Sequence, residues 1–467
     1  MTNDRAASGG HFYCDKAVLT SAAGALVLAP AQWLGLRDLP DALPVGGVGR
    51  YLVERVVCGM ALFLLLVLLR RHLRQEGGPA LASMAALGLG SILLPYSTVL
   101  YGHVPAATLI FASYHLQSKG RYLGADVAGA LACGFEFPVL LLYGILLLYR
   151  PRSCWKPISL IRVPAILLLA LSPQMMHNWI SFGDPITMGY SLETEKAFEG
   201  MSEGFFGFTY PRLVALRMLL LSPERGLLFY MPWVALGFAG FFAGSCNPIA
   251  VFRRNPLPIC IVAYVLLFSA YYMPGGGWAF GPRHVIPVIP FAAVGLSSYT
   301  AYSPRRRFVS WVLLLPAILQ ALIGTFGEIH QPVHPGFGPL ALPQMEFGIG
   351  MMLDGHHSYW LLGTTGVALM IAGSLIVWFL IYAGSKPTSW GALGLAAWFV
   401  VFALGFEDSG GKVDYYRGVM AEHRREYELA IQYYTDALED PSAPEGYILL
   451  RMRGCQSELD GLVGKSI

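Results

Sequence analysis

The first 406 residues carry about one charged side chain in ten, and nothing else in the chain constrains its fold so strongly. Of 32 basic and 29 acidic residues, 7 and 12 fall in residues 407–467, which leaves 25 and 17 for everything before. Soluble domains carry charge on roughly a quarter of their residues. A stretch this poor in charge cannot cover itself with a polar surface and needs hydrocarbon as part of its solvent.

Apolar runs near the ~20 residues that cross a bilayer occur at 51–69, 80–100, 103–116, 122–149, 158–177, 227–243, 258–273, 284–301, 309–326, 359–382 and 388–405. In the run 122–149, Glu136 and Pro138 interrupt the apolar residues and predict two short helices folded as a hairpin with FEFP at the bend. Residues 17–36 are long enough to span but contain Pro30, so they read either as a further span or as a surface segment. The expected fold is all-α: a polytopic transmembrane helical bundle of about 11–13 spans over residues 1–406, with a polar helical tail at 407–467.

Placing the runs alternately gathers 14 basic residues, among them Arg70, Lys119, Arg150, Arg152, Lys156, Arg253 and Arg305, into six short loops on one side. The positive-inside rule makes that side cytoplasmic. The opposite side then holds the long loops 1–50, 178–226, 274–283 and 327–358 and the tail, and chemistry is expected there. Because the basic excess belongs to loops beside a bilayer, no nucleic-acid partner is expected. The seven cysteines form no C-x-x-C pair and mostly lie in apolar runs, and no G-x-x-x-x-G-K loop occurs.

The tail residues Gly418, Tyr427, Ala430, Tyr434, Ala437 and Pro441 fall close to the tetratricopeptide pattern for a single unit, one residue short before Pro441 and without the usual leading aromatic. One such unit cannot bury its apolar face alone, so contact through 412–455 with the membrane domain or another protein is expected. The plainer alternative is an amphipathic helical hairpin.

Four outer segments hold the residues suited to chemistry. In GGHFYCDKA, Asp15 and Lys16 lie beside the aromatic residues Phe12 and Tyr13; the acid can serve as a base and the lysine can hold a phosphate, or both mark the polar end of a helix. In YSTVLYGHVPA, His103 can bind an anionic head group or bond to a carbonyl freed by Pro105. The third segment runs from HNWISFGDPITMGYS to PRLVALRMLLLSPERG, which contains Arg225; its apolar stretch 212–221 reads as an interfacial helix or a plain connector. In GGGWAFGPRH, glycines permit close approach, Trp278 can stack on a sugar, and Arg283 and His284 can grip a phosphate. Glu136 is a lone acid in an apolar hairpin and needs a partner or a function.

In order, HFYCDKA, PYSTVLYGHVPAA, GFEFPVLLLYGILLLYR, HNWISFGDPITMGYS, LLLSPERGLLFYMPW and GGGWAFGPRHVIPVIPF resemble a bacterial group of the GT-C glycosyltransferase superfamily, related to protein mannosyltransferases and lipid A aminoarabinose transferases. The resemblance covers residues from about 9 to about 300. It implies a GT-C-like bundle in the bacterial inner membrane. Such an enzyme moves a sugar from a polyprenyl-phosphate donor to an outer-face acceptor with inversion, using a carboxylate of the first outer loop, Asp15 or Asp4, as base. The candidate substrate-binding residues are Lys16, His11, Tyr13, His103, Glu136, Trp278, Arg283, His284 and Arg225. Similar proteins carry a further helix and more of the first outer loop before this motif, so the chain is expected to be shortened at its N-terminus. A serine and a Pro-Gly pair in relatives are replaced here by Cys14 and AVLT. The donor sugar is the one small molecule implied; a resident cofactor is not called for, and a divalent metal is left open. The rival expectations are a transporter or lipid flippase and a non-catalytic truncated paralogue.

Overall fold

The computed structural model describes residues 5–33, 52–192, 200–222, 225–245, 247–277, 279–326, 410–423, 425–439 and 445–463, and these are mostly helical. The chain opens on an antiparallel hairpin, β1 (Arg5–Ser8) and β2 (His11–Cys14), with Ser8 opposite His11. Gly9 and Gly10 make the turn, both at positive φ (56° and 79°), the conformation whose twist matches that of the strands.

The helices of the main body follow in order: α1 (Val18–Trp33), α2 (Leu52–Gln75), α3 (Leu81–Gly88), α4 (His103–Ser118), α5 (Tyr122–Phe135), α6 (Val139–Leu148), α7 (Pro157–Phe182), α8 (Leu213–Leu221), α9 (Trp233–Gly240), α10 (Pro248–Arg254), α11 (Pro256–Ser269), α12 (Ile289–Ala301) and α13 (Pro304–Phe326). Among the described residues four stretches are long and apolar enough to cross a membrane: Leu52–Gln75, Pro157–Phe182, Arg283–Ala301 and Pro304–Thr325. The α10–α11 pair passes the same test jointly, bent by 94°. Asn255 makes that bend, its side chain accepting from Leu257 N at 3.0 Å to start the second helix.

Other apolar runs depart from the single crossings expected of them. Run 80–100 divides into α3 and a short turn Leu93–Tyr96, and run 227–243 into a turn Leu227–Tyr230 and α9. Hydropathy registers side chains and not the continuity of backbone hydrogen bonds. At the first break the Gly90 carbonyl turns away to accept Trp233 Nε1 at 2.6 Å. At the second, Pro232 lacks an N–H and begins a new helix. Within residues 17–36, the apolar helical stretch Val18–Pro30 falls short of ~20 residues. Runs 359–382 and 388–405 and loop 327–358 lie outside the described residues.

The bend at FEFP is present. Glu136 is extended (φ −147°, ψ 106°) and ends α5. A Cβ on Gly129 would sit 2.3 Å from the Tyr143 ring, although 14 residues of continuous helix would separate them by ~21 Å. The glycine therefore lets α6 fold back against α5. A similar close approach joins α9 to α12, where a Cβ on Gly240 would lie 1.9 Å from the Gly295 carbonyl and one on Gly295 2.0 Å from that of Gly237. By contrast α7 exposes Ile158, Ile161, Leu168, Leu169 and Ile180, an apolar surface that fits lipid and not water.

In the tail, α14 (Gly410–His423), α15 (Tyr427–Ala437) and α16 (Glu445–Val463) pack around Tyr415, Val419, Ala430, Tyr434, Ile448 and Cys455. Gly418 lets α14 and α15 approach closely, since a Cβ there would meet the Tyr434 ring at 2.6 Å. The apolar face that a lone pair would leave open is covered partly by the chain's own third helix, through Ile448 and Cys455.

Candidate functional site

Asp15 and Lys16 follow directly from β2, and the glycine turn of the hairpin fixes where that strand ends. Asp15 is buried, and its Oδ2 lies 2.9 Å from Lys16 Nζ, whose side chain stays 42% exposed. Gly189 seats this pair, since a Cβ there would come within 2.8 Å of Asp15 Cα. The loop carrying Gly189 is braced by Asp184, which accepts from the Thr187 hydroxyl at 2.7 Å and its N–H at 3.0 Å. The Thr187 hydroxyl holds the Asp184 carboxyl below its usual range. Behind the pair, Val18 N donates to Gln174 Oε1 at 2.9 Å, tying the start of α1 to α7. Lys16 Nζ lies 5.5 Å from the centre of the Tyr190 ring, a cation–π contact.

The second part of the site comes from the segment 271–284 and the start of α4. Arg283 lies over the Tyr101 ring at 5.4 Å and donates from Nη1 to the Tyr101 hydroxyl at 3.4 Å. His284 stacks on Phe268 with ring centres 4.8 Å apart and meets His103 edge-on at 6.0 Å. His103 stacks on Tyr101 at 5.7 Å, and its Nδ1 comes within 2.9 Å of Glu136 Oε1. Gly102 makes room for that approach, because a Cβ there would collide with Phe135 O at 2.5 Å and Glu136 Oε1 at 2.9 Å. The partner that Glu136 requires is thus His103, brought to it by the bend at FEFP.

Tyr271 joins the two parts. Its phenol is within electrostatic reach of Lys16, Arg283 and Asp15, and His284 is within reach of Lys16. Arg212 holds Tyr271 in place by donating to its carbonyl and to that of Tyr272, the latter at 3.3 Å. The outcome is the Asp15–Lys16 pair beside Tyr190 and Arg283 over Tyr101, both within electrostatic reach of the Tyr271 phenol. Cations and phenols arranged in this way suit a phosphate ester, with the acid available to take a proton.

Other expected residues lie elsewhere. Tyr13 packs edge-on against Phe182 at 5.7 Å and His177 at 6.5 Å, and His11 is exposed beside it, so both face the end of α7 and not Arg283. Arg225 is fully buried and donates to the Gly277 carbonyl at 3.2 Å, with its side-chain carbons against Gly275. It staples the glycine loop from within, because three consecutive glycines cannot hold one conformation unaided. Asp4 and Trp278 lie outside the described residues.

Several residues here were not singled out from sequence. Glu54, at 1% exposure, lies on α2 one turn before Cys58, which donates to the Tyr101 carbonyl at 3.4 Å. The cost of an acid in an apolar run, the signal that picks out Glu136, applies equally to Glu54. Tyr101 and Tyr271 carry no sequence signal of their own, since tyrosines are common at membrane boundaries. Among the described residues no group of three or more His, Cys, Asp or Glu is arranged to hold a metal ion. Compared with protein-family models, curated proteins and solved structures, the chain matches none.

Proposed function

We propose that this chain is a polytopic membrane glycosyltransferase with a GT-C-like bundle, moving a sugar from a polyprenyl-phosphate donor to an acceptor on the outer face of the bacterial inner membrane. The observation that carries the proposal is the buried Asp15 carboxylate paired with the half-exposed Lys16 ammonium at 2.9 Å, with Arg283 held over Tyr101 and within electrostatic reach of the same Tyr271 phenol. In this reading the Asp15 carboxylate takes the proton from an acceptor hydroxyl as its oxygen attacks the sugar carbon. The bond from that carbon to the phosphate oxygen breaks, and polyprenyl phosphate leaves with its charge held by Lys16 and Arg283. Attack opposite to the leaving group inverts the sugar carbon. The further crossings expected of the shorter and undescribed runs, and an extracytoplasmic tail, belong to the same proposal.

The test is release of polyprenyl phosphate by purified protein in nanodiscs given a panel of polyprenyl-phosphate sugars. Asp15→Asn is expected to lower the rate by about 10²–10⁴-fold, the usual contribution of a positioned base, while the protein stays monodisperse. An unchanged rate would remove Asp15 from the chemistry.

A lipid flippase is favoured by one observation, the paired ionisable groups within apolar segments: Glu136 with His103, and Asp126 with Arg150. Paired ionisable groups within membrane segments mark pathways in transporters. A vesicle assay separates the two, because a flippase exposes the lipid-linked sugar on the far leaflet without releasing polyprenyl phosphate.

A further inference from the structure

At the basic-loop end of the bundle, Asp126 of α5 is fully buried between two guanidinium groups. Arg150 Nη2 lies 2.7 Å from its Oδ1, and Arg162 Nη2 lies 2.7 Å from its Oδ2, with Arg162 Nε at 3.1 Å from the same oxygen. Tyr143 also donates to Oδ1 at 3.2 Å. Arg150 has no exposed side-chain surface, reaches Gln117 Oε1 at 3.3 Å, and leaves its Nη1 without a hydrogen-bond partner. Two arginines on one carboxylate leave a net positive charge at this junction, and it reaches the surface through Arg162.

The surroundings add positive charge. Arg152 and Lys156 are exposed on the connection between α6 and α7. Lys156 is the N-cap of α7, and the first turn of that helix contains no acid. A helix N-terminus favours anions and repels cations, so this one is surrounded by the wrong sign of charge unless an anion sits there. Arg162 provides a route from the surface to the buried cluster, because 27% of its side chain is exposed.

What borders that route is apolar. Ile158 and Ile161, one turn before and next to Arg162 on α7, are 62% and 69% exposed. Leu123 and Val127, flanking Asp126 on α5, are also exposed. A free inorganic anion gains nothing from these side chains, whereas a phosphate carrying acyl chains can cover them. We propose that the α5–α7 junction is a binding site for an anionic phospholipid of the leaflet on the basic-loop side. Its phosphate would bridge Arg162, Lys156 and Arg152, and its acyl chains would lie along Ile158 and Ile161. Basic pockets between membrane helices recognise anionic head groups in this way.

The test uses the full chain in a neutral detergent, with native mass spectrometry reading bound lipid after addition of equal amounts of phosphatidylglycerol and phosphatidylcholine. The wild-type protein is expected to retain phosphatidylglycerol at least ten-fold in preference. The double variant Arg152→Gln/Lys156→Gln removes two exposed charges without touching Asp126 and is expected to fold. It should lose about ten- to thirty-fold in that preference, as each basic residue contributes about a factor of five. Arg162→Gln, if it folds, should lose at least as much. Equal retention of the two lipids by the wild type, or an unchanged preference in the double variant, would overturn the proposal. Displacement of the lipid by millimolar inorganic phosphate would overturn the lipid assignment in favour of a free-phosphate site.

Discussion

Gly276 controls the cationic side of the candidate site with a single missing atom. Its φ is +83°, and a Cβ would lie 3.0 Å from Arg283 Cγ, 3.1 Å from Arg283 Nε and 3.3 Å from His284 Nε2. Gly276→Ala is therefore expected to cost about 1–3 kcal/mol in backbone strain and to push the guanidinium off Tyr101. Thermal unfolding and polyprenyl phosphate release, measured together, should both fall, transfer by about ten-fold or more per folded molecule. Gly144→Ala is the control, since nothing lies within 4 Å of a Cβ there and alanine favours a helix. A Gly276→Ala protein with lowered stability but unaltered turnover would show that the loop does not position Arg283 for catalysis. At this scale much of the site was legible. Arg283, His284 and His103 stand beside glycine or proline in segments poor in other charge, and Asp15 and Lys16 follow a glycine turn. Which residues meet was not legible: Glu136 finds His103 because α5 and α6 fold back together, and Arg225 reaches Gly277 from 52 positions away.

Helix against helix, the packing rests on backbones brought close by glycine and not on apolar attraction, since lipid is as apolar as leucine. The α9–α12 contact is the clearest case, with Gly240 facing the Gly295 carbonyl and Gly295 facing that of Gly237. Gly240→Leu must separate the two helices. It should lower the thermal midpoint in detergent by more than any single substitution on the exposed face of α7, such as Leu169→Ala; similar midpoints for the two would mean the contact is not tight. The tail allows a pH test of its packing. Burial, followed by the Glu422 charge, pushes the Cys455 thiol from 9.0 up to about 11. At pH 8 its thiolate fraction is then about 100-fold below that of an ordinary thiol, and alkylation should be slower in proportion. Because the folded value is raised, the protonated thiol favours the packed tail. That contribution is complete below about 9 and is lost as pH rises through about 11. Alkylation of Cys455 at the rate of a small-molecule thiol at pH 8 would contradict its burial against Tyr415 and Tyr434. Elements were less legible than residues where helices break without a charge to announce it. FEFP was readable because an acid and a proline stand together, whereas the break at Gly90 depends on Trp233, 143 positions later, taking its carbonyl.

For the whole molecule, the central question is which face meets the cytoplasm. The proposed chemistry and the proposed lipid site lie at opposite ends of one charge asymmetry, so a single orientation must serve both. The basic loops around Arg150, Arg152 and Lys156 would face the cytoplasm, and the Asp15–Lys16 hairpin would face outward, where polyprenyl-linked sugars are used. Two native cysteines report on this directly. Cys14 is exposed at the end of β2, one residue before Asp15, and Cys154 is partly exposed in the basic connection between α6 and α7. Variants retaining one of the two, with the other cysteines replaced by alanine or serine, can be treated in intact cells with a membrane-impermeant maleimide. Cys14 should label without permeabilisation and Cys154 only after it. The reverse result would put the carboxylate and its cations on the cytoplasmic side, where the donor would have to be a cytoplasmic one, and would end the outer-face proposal. Labelling of both in intact cells would deny that the bundle separates the two ends at all. The expected pattern would fix Asp15 and Lys16 on the outer face, leaving a polyprenyl-phosphate sugar as the donor to supply first in the transfer assay.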